Sequence, residues 1–278
     1  MEQSLQGTVA VTDYGWYDYL RTQPNLSEVN FWKPSARRRF RAPEFSPFLF
    51  KLKAPHNAIC GFGYFASYVS LPIWLAWESF GDGNGSASLL DMQIRLDGIR
   101  TRIGYNATSP MDRIGCIMVV EPTFFAPQDW IAQPSDWPAP TQSDKRYDLA
   151  SGEGLRVWEA CQDRAQGPRP AGQGRYGSPM IVHPRLGQGT FRVAVSEAYG
   201  WGCAVSGEHS VPALDAAHIR PVSDDGPYSV SNGLLLRADI HRLFDQGYVT
   251  VTPDLHVEVS GRLREEFSNG QSYYPYHG

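Results

Sequence analysis

The chain has 278 residues, a formal net charge of -4, 42% hydrophobic and 13% aromatic residues. That composition supports a packed core and excludes global disorder, and the lack of net basic charge argues against a histone-like coat while leaving room for a local basic groove. No apolar run is long enough for a membrane span or placed as a signal peptide, and the four cysteines form no CxxC pair, so a cytoplasmic protein without a disulfide framework or zinc ribbon is expected.

In chain order, Thr12 or Asp13 can cap a short helix over Tyr14 to Arg21. Phe48 to Lys53 alternates at its end as a strand does. Ala58 to Ser67 is aromatic and broken by glycines, which fits a bent barrel strand. Leu75 to Phe80 and Leu89 to Arg102 read as helices, Ile114 to Val120 as a buried strand, and Glu153 to Arg164 as a helix. Gln166 to Gly189 is crowded with glycine and proline and reads as a linker. Seven of the eight tryptophans precede it. The expected domains are therefore 1–165, a linker at 166–189, and 190–278. Beyond the linker, Phe191 to Tyr199 reads as a helix. Cys203-Ala204-Val205 and Ala213 to Ile219 read as two joined strands, and Asn232 to Arg237 follows a long polar loop. Asp239 is the expected N-cap of a helix Ile240 to Gln246, with Gly247 just past its end. Tyr248 to Val251 and His256 to Val259 read as a hairpin. Two strands and a helix make a ββα unit.

Phosphodiester hydrolysis needs a base to activate water, a cation to offset charge, and alignment of both on the phosphate. His218 in LDAAHIRP, Asn232 in SNGLLL and His241 in ADIHRLFDQG can supply these. A neutral imidazole of pKa ~6.5 suits a general base. The remaining histidines, His56, His183, His209, His256 and His277, read as structural or surface residues.

The run from Cys203 to Val249 resembles the HNH nuclease family, in the branch written C-A-V-[ST]-G, A-A-H-I-x-P, N-G-L-x-L and H-R-L-F-D. This chain has CAVSG, AAHIRP, NGLLL and HRLFDQGY in that order. The resemblance implies that His218 is the general base, that Asn232 orders the loop and helps position it, and that His241 is a metal ligand or phosphate contact. Many HNH modules place an aspartate or histidine directly before the base; here that position is Ala217. Asp215, two residues earlier and roughly 6–7 Å back along the strand, is the replacement ligand expected; a loop-facing surface carboxylate is the alternative. Arg192 can face the phosphate backbone or be a solvated helix charge.

In the N-terminal part, Lys33, Arg37, Arg38, Arg39 and Arg41 crowd beside Asn30-Phe31-Trp32. Basic side chains beside aromatics suit phosphate contact with base stacking, although a solvated face has the same composition. The stretches NFWKP, FLFKLKAPHNAICGFGYFA and LAWESFGDGNG resemble the PUA-like (SRA/EVE-type) sensing domains of modification-dependent, type IV restriction endonucleases. That resemblance implies a pocket for a flipped, modified base, with Asn30, Phe31, Trp32, Tyr64, Trp74 and Trp77 as candidates. The i, i+3 spacing of Trp74 and Trp77 is equally that of a core helix. The expected fold is α+β: a PUA-like mixed β-barrel with flanking helices, then a ββα-metal HNH module. The expected partner is double-stranded DNA carrying a modified, 5-substituted cytosine. The expected cofactor is Mg²⁺ or Mn²⁺, with Ni²⁺ or Co²⁺ also accepted by a mixed imidazole and carboxylate set. One HNH site cuts one strand, so a double-strand break calls for a homodimer or two binding events. An HNH nuclease sensing phosphorothioate or unmodified sequence, and a non-cleaving reader of modified nucleic acid, are the alternatives.

Overall fold

The computed structural model describes residues 5–104, 109, 111–138, 143–166 and 186–278. It falls into two compact units, residues 1–190 and 191–278. Most of the glycine- and proline-rich stretch expected to be a linker, 167–185, lies outside the described residues, as does His183. No described helix is long and apolar enough to cross a membrane.

The first unit contains β1 (Gln6–Thr12), α1 (Tyr14–Leu20), β2 (Glu28–Lys33), β3 (Pro47–Leu52), β4 (Ala58–Pro72), α2 (Ile73–Phe80), α3 (Leu89–Arg102), β5 (Arg113–Phe124), β6 (Ile131–Ala132), β7 (Asp144–Asp148) and α4 (Gly152–Gln166). Asp13 caps α1 by accepting the Trp16 N–H at 2.9 Å. Six strands run in the order β2-β5-β4-β3-β1-β7, with β6 added beside β4. The glycine-broken segment is a single long strand, β4, whose pairing with β5 slips at two bulges, between Phe62 and Tyr64 and again between Phe65 and Ser67. A side chain at Gly61 would run into the Thr123 carbonyl of β5, so the bend depends on glycine there.

The sheet is covered on both faces, which is why β3 is apolar without clean alternation. Phe48 and Phe50 join one core with Trp16, Phe31, Phe65, Tyr68 and Val119. Leu49, between them, joins another with Val9, Ile59, Phe62, Val157 and Trp158. Trp16 of α1 meets Phe31 and Phe50 edge-on at 5.3 and 5.2 Å, the geometry that ring quadrupoles favour.

The barrel expectation is corrected: among the described residues no backbone pairing joins the edge strands β2 and β7. They meet through side chains instead, with Lys33 Nζ 2.7 Å from Asp144 Oδ1. At six and five residues, these edges end in charged side chains rather than in a continuing ladder.

The second unit continues α5 (Gln188–Ala198) from Phe191 and adds β8 (Leu214–His218), β9 (Gly233–Arg237), α6 (Ala238–Asp245), β10 (Val249–Val251), β11 (Val257–Val259) and α7 (Arg262–Phe267). β8 pairs antiparallel with β9, and β9 runs straight into α6. Two local expectations are corrected. Cys203-Ala204-Val205 is a turn, not a strand, because the Cys203 sulfur accepts the N–H groups of Ser206 and Arg237 at 3.4 and 3.2 Å and folds the chain back. Burial alone would push that thiol up, but these N–H contacts outweigh it and hold its pKa below the usual value. Asp239 is not the N-cap; with no loop between β9 and α6, that place falls to Arg237. Asp239 instead holds the Arg237 guanidinium through two contacts of 2.6 and 2.8 Å. Gly247 follows the helix with φ +72°, as a residue past a helix end does.

Candidate active site

His218 and His241 are placed by a strand and the helix of the ββα unit, and Asn232 by the turn that leads into its second strand. His218 is the last residue of β8, opposite Gly233 at the start of β9. A side chain at position 233 would overlap Val195 and Phe191 of α5. Glycine there lets Phe191 stack on the His218 ring, centroid to centroid 4.0 Å at 8°. Tyr228 meets the same ring edge-on at 4.9 Å and 85°. The imidazole is thus held on a face and an edge by aromatic carbon.

Nε2 of His218 is buried and makes no hydrogen bond among the described residues. Burial lowers the His218 pKa, the charge of His241 lowers it further, and Asp245 opposes both. The neutral, basic form therefore persists below the ordinary histidine range.

Asn232 is buried and its amide is fully used on the loop between the strands. Its Oδ1 accepts the Arg220 N–H at 2.9 Å, and its Nδ2 donates to the carbonyls of Arg220 and Pro227 at 3.0 and 2.9 Å. The Asn232 carbonyl also accepts the Ile219 N–H at 2.9 Å. These bonds close the loop directly behind His218, so Asn232 holds the base from the backbone and not by touching its ring.

His241 lies in α6 between two carboxylates. Its Nδ1 is 3.5 Å from Asp215 Oδ2 and its Nε2 is 3.3 Å from Asp245 Oδ2. Ala217 is fully buried in the core of this unit, so the position before the base offers no ligand. The carboxylates approach opposite edges of one ring. Accordingly, among the described residues no three His, Cys, Asp or Glu side chains surround a single point. Either edge pairs an imidazole nitrogen with a carboxylate oxygen, a donor set that fits a divalent ion with water or phosphate completing its shell. Arg192 reaches the Leu214 carbonyl of β8 at 3.5 Å, a contact inside the protein.

The six residues expected to line a base pocket differ in burial and partners. Phe31 packs into the first core. Asn30 is wholly buried, donating to Asn84 Oδ1 at 2.9 Å and to the Cys116 sulfur at 3.4 Å. Trp32 is 9% exposed and donates to the Asn84 carbonyl at 2.9 Å. Tyr64 is half-buried against the second core. Trp74 and Trp77 are half-buried on α2, which turns Ile73, Leu75, Ala76 and Phe80 inward. Asn30, Phe31 and Trp32 thus face protein on a strand covered on both faces.

The basic segment divides similarly. Lys33 is paired with Asp144 and lies 5.4 Å over the Phe40 ring. Arg37, Arg38, Arg39 and Arg41 lie at least partly open to solvent. Phe40, buried in the first core, and Arg100, whose Nε donates to the Pro34 carbonyl at 2.9 Å, pin the loop that displays them.

Sequence reasoning missed Asn84, Phe191, Tyr228 and Asp245. Only Asp245 carried a readable signal, its i, i+4 spacing from His241 on one helix face. Asn84 donates to the carbonyls of Ala76 and Gly81 at 3.1 and 2.9 Å while receiving Asn30, a convergence that no local pattern announces.

Residues 203–252 match the family model HNH_2, described as HNH endonuclease, and this segment contains His218, Asn232 and His241. It supports a nuclease reading of the second unit. No curated protein matches the chain. Among solved structures, the chain is similar to ASCH from Zymomonas mobilis, with 11% identity and a TM-score of 0.39 over 55% of this chain and 93% of that one. A tyrosine-to-phenylalanine variant of that protein gives 11% and 0.38 over 55% of this chain and 95% of that one. A serine-to-alanine variant gives 12% and 0.33 over 56% and 95%.

Proposed function

We propose that this chain is a cytoplasmic, divalent-metal-dependent DNA endonuclease of the modification-dependent, type IV restriction kind. Residues 190–278 would cleave, residues 1–165 would sense a modified cytosine, and 166–189 would join them. The observation that carries the reading is His218: an imidazole stacked on Phe191 and met edge-on by Tyr228, whose pKa burial lowers.

In this reading Nδ1 of His218 takes a proton from water as the water oxygen bonds to phosphorus. The bond from phosphorus to the leaving oxygen breaks, and that oxygen takes a proton from solvent. Asn232 keeps the loop closed so that the base does not drift. His241, with Asp215 or Asp245, would hold Mg²⁺ or Mn²⁺, with Ni²⁺ or Co²⁺ as substitutes. Such an ion, when bound, offsets charge on the phosphate and leaving oxygen.

The pH profile tests the base. Protonated His218 cannot accept a proton, so single-turnover cleavage should rise with pH and level off. Because burial and His241 lower the pKa against the opposing Asp245, the midpoint should fall below 6.5. A rate limb centred above that value would assign the base elsewhere.

The arginines of the displayed loop are the proposed backbone contacts. Replacing Arg37, Arg38 and Arg39 together by glutamine should reduce the log–log salt slope of duplex DNA binding by roughly 0.9 for each phosphate no longer neutralised. An unchanged slope would make the loop a solvated face. The specificity is tested by digesting matched DNAs carrying cytosine, 5-methylcytosine, 5-hydroxymethylcytosine or glucosylated cytosine. Equal cleavage of all four would remove modification sensing. Metal-dependent binding without nicking of any of them would leave a non-cleaving reader.

A further inference from the structure

α3 turns one face into the first unit and leaves the opposite face uncovered among the described residues. Met92 and Leu96 are wholly buried, and the buried Arg100 guanidinium lies 2.8 Å from Asp112. Arg95 pairs at 2.8 Å with Asp13, the cap of α1. These contacts fix the rotation of the helix about its own axis. At about 3.6 residues per turn, Leu90, Ile94, Gly98 and Thr101 then fall in one outward stripe. All four are open to solvent, Leu90 and Ile94 at 64% and 59%, and Ile103, 54% exposed, follows the last turn. A side chain at Gly98 would meet nothing within 4 Å. Packing inside this chain therefore does not account for a glycine that weakens the helix interior. Two bulky side chains and a gap one turn further on make a ridge and a hollow on the same surface.

We propose that this face docks on the same face of a second copy of the chain, the two α3 helices packing antiparallel about a two-fold axis at the level of Leu96. Ile94 of each copy then fills the hollow at the partner's Gly98, and Leu90 lies along the aliphatic stem of the partner's Arg102. The relevance of this pairing to double-strand cleavage rests on the nuclease reading; the interface itself does not.

Charge favours this occupant and this direction. Asp91 and Arg102 lie on one flank of the stripe, in the first and last turns of the helix. A two-fold axis perpendicular to the helices keeps each flank on its own side and exchanges its ends, so Asp91 of each copy meets the partner's Arg102. A parallel pairing would instead set like charges level with each other. Asp91 and Asp97 beside the stripe also disfavour a polyanion such as DNA on this face. One helix face is smaller than the ~800 Å² per partner of a standard interface, so the dimer is weak, with a dissociation constant on the order of 10⁻⁵ M. Two copies bound near each other on one DNA would pair at lower bulk concentration.

The test is sedimentation velocity of the full chain, without DNA or metal, over roughly 1–300 µM, a span that brackets the expected constant. A monomer–dimer equilibrium should appear. Ile94→Glu should weaken it by ~30-fold or more, since it sets two carboxylates in the centre of the contact. Asp91→Lys and Arg102→Glu should each weaken it by ~10-fold, and the two together should restore it to within about threefold of wild type. Asp91 also accepts the Ser88 hydroxyl at 2.7 Å at the start of the helix, so thermal melting is followed for every variant. Rescue by a reversal at the far end of the helix cannot come from restored capping. A monomer throughout, a dimer untouched by Ile94→Glu, or a double variant as weak as the single ones would each overturn the proposal. None of these outcomes bears on cleavage, and a chain that dimerises in this way but never cuts DNA would fail only as a nuclease.

Discussion

His218→Ala should lower the single-turnover cleavage rate by ~10²–10⁴-fold, the usual contribution of a positioned general base, with DNA affinity nearly unchanged. The reasoning rests on the ring's surroundings. Phe191 and Tyr228 pack its face and edge, and Asn232 secures the loop beside it, so this imidazole is oriented by contacts that do not depend on substrate. Alanine removes the acceptor and leaves the α5 packing partner behind. Some stability goes with the 4.0 Å stack on Phe191. His218→Gln, which keeps part of the bulk without a comparable base, separates the two effects: it should be as inactive as alanine while melting closer to wild type. If either variant cleaves at the wild-type rate, another group is the base. The arginine loop belongs to the other unit, so its salt-dependent DNA binding should persist in both variants.

Trp32→Ala should destabilise the first unit by ~3–5 kcal/mol, the range for emptying a large aromatic from a core. Trp32 is 9% exposed, and its indole N–H donates to the Asn84 carbonyl. The same asparagine receives the side chain of Asn30 and donates to two carbonyls at the end of α2. Removing the indole therefore opens a cavity and leaves a buried carbonyl without its donor, and each unsatisfied buried group costs about 1–3 kcal/mol. Trp32→Phe, which fills most of the space but cannot donate, should cost less than alanine and more than a simple change of ring size. The measurement is denaturant unfolding of the full chain by a probe local to the first unit, together with the ratio of cleavage on modified and unmodified DNA. A stable Trp32→Ala variant with a collapsed ratio would mean that the indole meets DNA and not the core.

The candidate site of the second unit could be picked out in the sequence because its residues sit in short blocks close along the chain. His218 ends a strand, Asn232 lies directly before the next, and His241 lies one turn into the helix that follows. For such a compact unit, order along the chain nearly dictates proximity, and local patterns carry through to the site. The same holds for α1 with its Asp13 cap and for the glycine-broken β4, where backbone freedom and capping act over a few residues. Long-range partners were not legible. Nothing near Cys203 indicates that its sulfur would take the Arg237 N–H and make a turn of an expected strand. The aromatic run at Asn30-Phe31-Trp32 reads equally as a binding face or as a core. Only tertiary packing, α1 against Phe31 and Asn84 of the turn after α2 against Asn30 and Trp32, turns those side chains inward. Likewise, strand alternation alone cannot tell which edge of His241 meets Asp215 and which meets Asp245, because that depends on how α6 packs on β8. Composition, caps and motif order act within one element or across one turn. Burial, hydrogen-bond partners and the two edges of a ring are set by elements far apart in sequence, and only the tertiary structure brings them together.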